Sequence, residues 1–333
     1  MTEQARSLVA GLGVSKDVRL AESLLTEALG LVADQPDTLD LKIAAAALQE
    51  MRAAYSVFAP FKDERKVSIF GSARTKPDDP LYAQARDLAA TLAEHGWMTV
   101  TGAGPGIMEA GMEGAGREMS IGVSIRLPFE SGANSIIAGD EKHVAMKYFF
   151  TRKLMLIKES QAFVCLPGGV GTLDETFELL TLTQTGKGLP VPIVLLDSPG
   201  DPFWEKIDQL IRDQLIARGL VSPGDTGLYT LTDSCDEACR IIERFYSNYH
   251  SIRFVGDRLV LRMQQGPDDA QLAALNDEFG HLVAGGSIER AAPSKLERRD
   301  DDVVELDRVA FDFTKHGYGD LIAMIGRINN WLD

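Results

Sequence analysis

The amino-acid sequence predicts a doubly wound α/β domain with additional segments on both sides. Between residues 66 and 250, short apolar runs such as KVSIFG and AFVCLP alternate with amphipathic stretches such as PLYAQARDLAATLAEHG. Apolar strands separated by helices are typical of a parallel sheet that is covered on both faces. Three of these apolar runs end in glycine-rich loops, as the ligand-binding edge of such a sheet often does. These observations predict a Rossmann-like fold.

The flanking segments follow different patterns. Residues 1–64 carry apolar residues at three- and four-residue spacings, which predicts a helical extension. Residues 65–250 form the predicted Rossmann-like domain. In residues 251–333 the order of apolar runs predicts β-α-β-β-α, a small α+β domain. Its charged run 297–302 is expected to form a solvated turn.

Composition excludes several classes of protein. The chain has 333 residues and a formal net charge of −15 at pH 7, which argues against binding to nucleic acid or to an anionic membrane. No long apolar run or signal-peptide pattern is present, so we expect a cytoplasmic protein. The three cysteines are too few for a disulfide framework, and the five histidines have no ligand spacing, so we predict neither a metal nor a cofactor.

The glycine-rich loops predict a phosphate site. They are GSAR at 71–74, TGAGPG at 101–106 and PGGVGT at 167–172. Glycine lets the backbone approach a ligand closely, and a loop that runs into a helix presents free amides at the positive end of the helix dipole. We therefore expect phosphate binding by residues of the third loop, namely Gly168, Gly169, Gly171 and Thr172.

The loops do not match the common nucleotide motifs. GAGPGI differs from GxGxxG because Ile107 occupies the sixth position, and the next strand ends in Arg126-Leu127-Pro128 rather than in an acidic residue. The third loop also lacks the GxxxxGK[ST] pattern. A compact nucleotide or sugar phosphate is thus favoured over a dinucleotide, and a dinucleotide-dependent oxidoreductase is disfavoured.

Charged residues flank the third loop. Asp174 and Glu175 are expected in the first turn of the following helix, where acidic residues are common. Because adjacent helical residues are about 100° apart, they are expected to face different surroundings. Arg152 and Lys153 lie in the preceding helix and can place a cation between a phosphate and a carboxylate. The aromatic neighbours Phe149 and Phe150 are expected in the core.

This combination resembles the LOG family, phosphoribohydrolases that activate cytokinins and were long labelled lysine decarboxylases. The resemblance rests on Arg152-Lys153 followed by PGGxGTxxE at 167–175, and it covers about residues 66–250. It implies that Arg152 and Glu175 are the catalytic pair. It also implies assembly as a homodimer or larger homo-oligomer. Further substrate contacts are expected from Ser72, Gly104, Glu130, Asn134, Lys153, Asp174 and Thr181.

The predicted reaction is hydrolysis of the N-glycosidic bond of a purine or cytokinin nucleoside 5′-monophosphate to the free base and ribose 5-phosphate. The chain departs from plant members at Phe149-Phe150-Thr151 and at Ala103, which leaves the base open. A protein that binds or carries a nucleotide or nucleotide-like cofactor without hydrolysing it is the alternative. The C-terminal segment is open to a regulatory or subunit-contact role.

Overall fold

The structure is a computed structural model that describes residues 1–127 and 132–332 of the chain. The chain divides into two compact units, Met1–Tyr55 and Ser56–Asp333. The first contains helices α1 (Thr2–Gly11) and α2 (Val18–Ala33), which pack together, and most of α3 (Thr38–Phe58). No helix of the described residues is long and apolar enough to cross a membrane.

The second unit is built on a seven-stranded parallel sheet. In chain order its elements are β1 (Lys66–Phe70), α4 (Pro80–Glu94), β2 (Met98–Thr101), α5 (Ile107–Ala115), β3 (Ser120–Ile125), β4 (His143–Met146), α6 (Phe149–Lys158), β5 (Ala162–Cys165), α7 (Val170–Gln184), β6 (Ile193–Leu196), α8 (Phe203–Leu210), β7 (Thr230–Thr232) and α9 (Cys235–Phe245). The strand order is β4-β3-β2-β1-β5-β6-β7, and every pairing is parallel. The predicted doubly wound α/β fold is confirmed.

Helices cover both faces of this sheet, as alternate residues of β1 show. Val67 and Ile69 are fully buried in a core with α4, α5 and α9. Ser68, which lies between them, donates a hydrogen bond from its hydroxyl to the carbonyl of Leu156 in α6 (3.0 Å). Because successive side chains of a strand point to opposite faces, α6 lies on the face opposite α4 and α5.

The chain ends in a four-stranded antiparallel sheet of order β10-β11-β9-β8. Its elements are β8 (Tyr249–Val255), β9 (Arg258–Met263), α10 (Asp269–Phe279), β10 (Val283–Arg290), α11 (Lys295–Asp300), β11 (Asp307–Phe313) and α12 (Tyr318–Asn329). The predicted β-α-β-β-α order corresponds to β9, α10, β10, β11 and α12. The pattern missed β8 and the short helix α11.

Residues 297–302 do not form the expected solvated turn: residues 298–301 are exposed, but the run begins within helix α11 and Glu297 is buried. Glu297 is 1% exposed, and its carboxylate accepts hydrogen bonds from Arg262 of β9 (3.0 and 3.1 Å) and from Arg308 of β11 (3.4 Å). Arg262 also contacts Asp302 (2.7 Å). The buried partners of Glu297 lie on strands β9 and β11, so its burial could not be predicted from the residues next to it in the chain.

Candidate active site

The candidate site lies at the carboxyl end of β1, where the strand order reverses. β1 pairs with β2 on one side and with β5 on the other, so the loops that follow these three strands converge. Such a reversal point is where open parallel sheets bind ligands. A cavity of about 600 Å³ opens there, and its lining includes Gly71, Ser72, Gly102, Gly104 and Gly169.

The first two loops are locked together by close backbone contact. The amide of Ile107, at the start of α5, donates a hydrogen bond to the carbonyl of Ser72 (3.0 Å). Gly106 has φ of +68°, and a Cβ atom there would lie 2.4 Å from the Ser72 oxygen. Both constraints require glycine at this position.

The third loop leads directly into helix α7. Its N-cap residue is Gly169, which has no side chain to accept hydrogen bonds from the first amides of the helix. An added Cβ at Gly169 or Gly171 would meet no atom within 4 Å, so the space above these amides is open. At Gly168 a Cβ would lie 2.2 Å from the hydroxyl of Thr172, which packs beneath the loop. The four residues predicted to bind phosphate therefore come together at one helix N-terminus, a suitable site for an anion.

Arg152 and Glu175 meet at the wall of the cavity. The guanidinium Nη1 of Arg152 lies 3.3 Å from Oε1 of Glu175, and the two side chains are 9% and 15% exposed. Nε of Arg152 donates to the carbonyl of Val123 at 3.0 Å, which fixes the guanidinium from the β3 side. A methyl group on Gly102 would overlap Nη2 of Arg152, so glycine is required for this arrangement.

Burial raises the pKa of Glu175, and the adjacent Arg152 charge opposes this rise. Lys153 also lowers the pKa, whereas the carboxylates of Asp174 and Glu178 raise it. The balance leaves a carboxyl group that ionises less readily than a solvated one but has a cation within contact. That state suits a group which accepts a proton during a reaction.

Lys153 takes different partners from its neighbour Arg152. Its ammonium lies 2.7 Å from Oδ2 of Asp174 and 2.5 Å from Oε2 of Glu178, both on α7. Asp174 and Glu175 therefore face different surroundings, as their angular separation on a helix predicts. Lys153 and Asp174 still border the cavity. Their ion pair fastens α6 to the start of α7 and so helps to position Glu175.

The remaining predicted contact residues are placed less uniformly. Ser72 and Gly104 line the cavity. The side-chain amide of Asn134 donates to the carbonyl of Gly104 (3.0 Å), so it shapes the second loop from behind. Thr181 lies farther along α7, is exposed, and donates its hydroxyl to the carbonyl of Phe177 (2.7 Å). Glu130 lies outside the described residues.

Sequence reasoning missed part of the lining. Met108, Ser124 and Gly132 border the cavity, although none of them was among the predicted contact residues. Phe149 also borders it. Phe149 and Phe150 are each 54% exposed, so their expected place in the core is wrong. The reason is local: Phe149 opens helix α6 beside the cavity, where the core does not reach it. Among described residues, no group of three or more His, Cys, Asp or Glu is placed to hold a metal ion.

The sheet and the cavity define an α/β protein with a candidate ligand site at the switch point of its strands, and comparisons with known proteins give its relatives. Residues 98–242 match the family model described as "Possible lysine decarboxylase". A probable cytokinin riboside 5′-monophosphate phosphoribohydrolase of Arabidopsis thaliana is 32% identical over 112 residues, which cover 33% of this chain and 54% of the relative. A Mycobacterium tuberculosis protein named as a cytokinin riboside 5′-monophosphate phosphoribohydrolase is 29% identical over 175 residues, covering 48% and 87%. The predicted resemblance to the LOG family is confirmed, at modest identity.

The extent of these likenesses is limited. The chain spans about half of the length of the Arabidopsis relative. Among solved structures, a molybdenum cofactor carrier protein of Chlamydomonas reinhardtii is 19% identical with a TM-score of 0.38, covering 54% of this chain and 97% of the carrier. A likeness at that TM-score says nothing about function.

Proposed function

We propose that this protein hydrolyses the N-glycosidic bond of a nucleoside 5′-monophosphate and releases the free base and ribose 5-phosphate. One observation carries the proposal: the nearly buried ion pair of Arg152 and Glu175 shares a cavity with the open N-terminus of α7. A protein that only carries a nucleotide needs the anion site but has no use for a buried carboxylate of raised pKa beside it.

The anion site would hold the 5′-phosphate. The amides at the start of α7 and the positive end of the helix dipole attract a dianion. Glu175 is the sixth residue of the same helix and so lies in its second turn, one turn later than expected. A phosphate on the loop therefore places the ribose near the carboxylate.

Glu175 would then assist the attack of water on the sugar. As the base departs, positive charge develops on C1′ and the ring oxygen, and a nearby carboxylate stabilises it. The same carboxylate accepts a proton from the attacking water. Arg152 keeps Glu175 in its ionised form and offers its remaining N–H groups to ribose hydroxyls.

The names of the relatives support a nucleotide hydrolase and leave the base open. The name of the matched family model suggests a different activity, a lysine decarboxylase. In pyridoxal enzymes a neutral lysine must attack the cofactor. Burial alone would lower the pKa of Lys153, but hydrogen bonds to Asp174 and Glu178 outweigh burial and raise it. Lys153 is therefore held as an ammonium, which is not a nucleophile.

A nucleotide panel tests the proposal. The protein is incubated with AMP, GMP, IMP, CMP, UMP and N6-isopentenyl-AMP, and free base and ribose 5-phosphate are separated by chromatography. We expect equal amounts of the two products from at least one nucleotide. Binding of a nucleotide without release of base would instead support the carrier alternative. Assembly as a homo-oligomer stays a prediction from the family resemblance.

The acidic side of the pH profile is a second prediction. The reaction needs the ionised carboxylate of Glu175, so kcat should rise with pH as this group loses its proton. Because burial raises the pKa of Glu175, this rise should occur at a higher pH than the usual glutamate pKa of about 4.3. Replacing Arg152 by Gln removes the charge that lowers this pKa, so the limb should move to still higher pH. Measurement of kcat at saturating substrate between pH 4 and 9 checks both, and a limb that stays in place in Arg152→Gln contradicts the assignment.

A further inference from the structure

The wall of the cavity opposite the phosphate loop is formed by strand β3. Along the sheet β5 is followed by β1, β2 and β3, and neighbouring strands are about 4.8 Å apart, so β3 is roughly 14 Å from β5. Arg152 connects the two ends, because it contacts Glu175 on α7 and the carbonyl of Val123 on β3. A nucleotide with its phosphate on α7 and its ribose at Glu175 therefore places its base against β3.

Ser124 provides a hydroxyl on this wall. It follows Val123, borders the cavity and is 8% exposed. Other side chains of the same region, Met108, Ile125 and Leu127, are apolar and suit the faces of a flat ring. Ser124 is thus placed to contact a polar edge of the base.

His143 on β4 holds the Ser124 hydroxyl in place. Its Nε2 lies 2.8 Å from Oγ of Ser124, and β3 and β4 are adjacent parallel strands. Burial lowers the pKa of His143, so the ring is neutral at neutral pH and carries one N–H. If that N–H is on Nε2, it donates to Ser124 and leaves the serine proton free for a ligand.

We infer that Ser124, oriented by His143, donates a hydrogen bond to a ring nitrogen of the leaving base. This rests on the proposed function. When the bond from C1′ to the base nitrogen breaks, its electron pair remains on the base, and the hydrogen bond stabilises the negative charge that develops there. The water oxygen bonds to C1′, its proton passes to Glu175, and the departing base takes up a proton from solvent.

The test compares two leaving groups. The leaving group of AMP is a purine, which needs this hydrogen bond. In the second substrate, ribose 5-phosphate carries a 4-nitrophenyl group on the oxygen at C1′. The 4-nitrophenolate leaves readily as an anion and has no ring nitrogen. A hydrogen bond to a developing charge is a strong one, so Ser124→Ala should lower kcat on AMP by about 10- to 100-fold, with KM little changed. The same variant should hydrolyse the nitrophenyl compound at the wild-type rate. His143→Leu should show the same selectivity with a smaller loss.

Ser120→Ala is the matched control. Ser120 lies on the same strand, and its hydroxyl donates to the carbonyl of Gly116 (2.7 Å), so both substrates should be turned over at the wild-type rate. Equal losses on both substrates in Ser124→Ala, or no loss on AMP, overturn the inference. If the wild-type protein cleaves the nitrophenyl compound and no nucleotide, Ser124 has no such role although the hydrolytic centre exists. If the wild-type protein cleaves neither, the proposed function itself is wrong, and the inference fails with it.

Discussion

Replacing Glu175 by Gln is expected to lower kcat by about 10²- to 10⁴-fold, the usual contribution of a general base. The amide has nearly the same size and can still contact Arg152, which lies 3.3 Å away. It can neither accept the proton of the attacking water nor balance positive charge on the sugar. Single-turnover measurements of base release from AMP check the loss, because they report the chemical step without product release.

Binding should survive this substitution. The phosphate is held by backbone amides of α7, and removal of a nearby negative charge does not weaken the attraction of an anion. Calorimetric titration with AMP should therefore give a Kd near that of the wild type. Glu178→Gln is the control, since Glu178 is on the same helix and contacts Lys153 rather than Arg152. Turnover by Glu175→Gln at the rate of this control would exclude Glu175 as the base.

The largest loss of stability is expected from Glu297→Gln. The side chains of Arg262 and Arg308 are 4% and 0% exposed, and Glu297 contacts both. Arg262 keeps Asp302 as a second partner, but the buried charge of Arg308 loses the carboxylate that it contacts. Breaking a buried pair in this way typically lowers the free energy of unfolding by about 3–5 kcal/mol. Denaturant unfolding of both proteins measures the difference. Glu289→Gln is the control: its partner Arg258 is on the surface, and such exposed pairs contribute about 0–1 kcal/mol.

The effect of Glu297 should depend on pH in a defined direction. Burial alone would raise its pKa, but hydrogen bonds from Ser294 and Arg262 and the charge of Arg308 outweigh burial and lower it. A carboxyl with a lowered pKa stabilises the fold above its unfolded pKa, and that stability is lost as the pH falls through the folded pKa. The difference between wild type and Glu297→Gln should therefore shrink in acid. Equal losses in Glu297→Gln and Glu289→Gln at pH 7 would contradict the role given to the buried cluster.

Local pattern was sufficient to predict the parallel sheet and the meeting of its glycine loops. Strands such as KVSIF and AFVC are buried along their whole length and are mostly apolar because both faces of the sheet are covered, and that signal is visible in any short window. The position of the loops then follows from the geometry of parallel strands. The contact between Arg152 and Glu175 was predicted through the family resemblance rather than from spacing alone.

Contacts between distant side chains could not be predicted in this way. Ser124 and His143 lie on different strands, and neither residue belongs to a recognisable motif. The buried place of Glu297 depends on arginines supplied by β9 and β11. In both cases the contact depends on which strands become neighbours in the fold. That cannot be predicted from a short stretch of a single sequence.

The pairing of β1 with β5 has a consequence for synthesis on the ribosome. These neighbours are separated in the chain by α4, α5 and α6, and the glycine loop and α7 come only after β5. A nascent chain whose β1 to β4 have left the ribosome can pair those strands. It still lacks Glu175 and the α7 N-terminus that forms the proposed phosphate site. Ligand can therefore assist folding only once α7 has emerged, and fragments that end before it should gain no protection from protease when nucleotide is added.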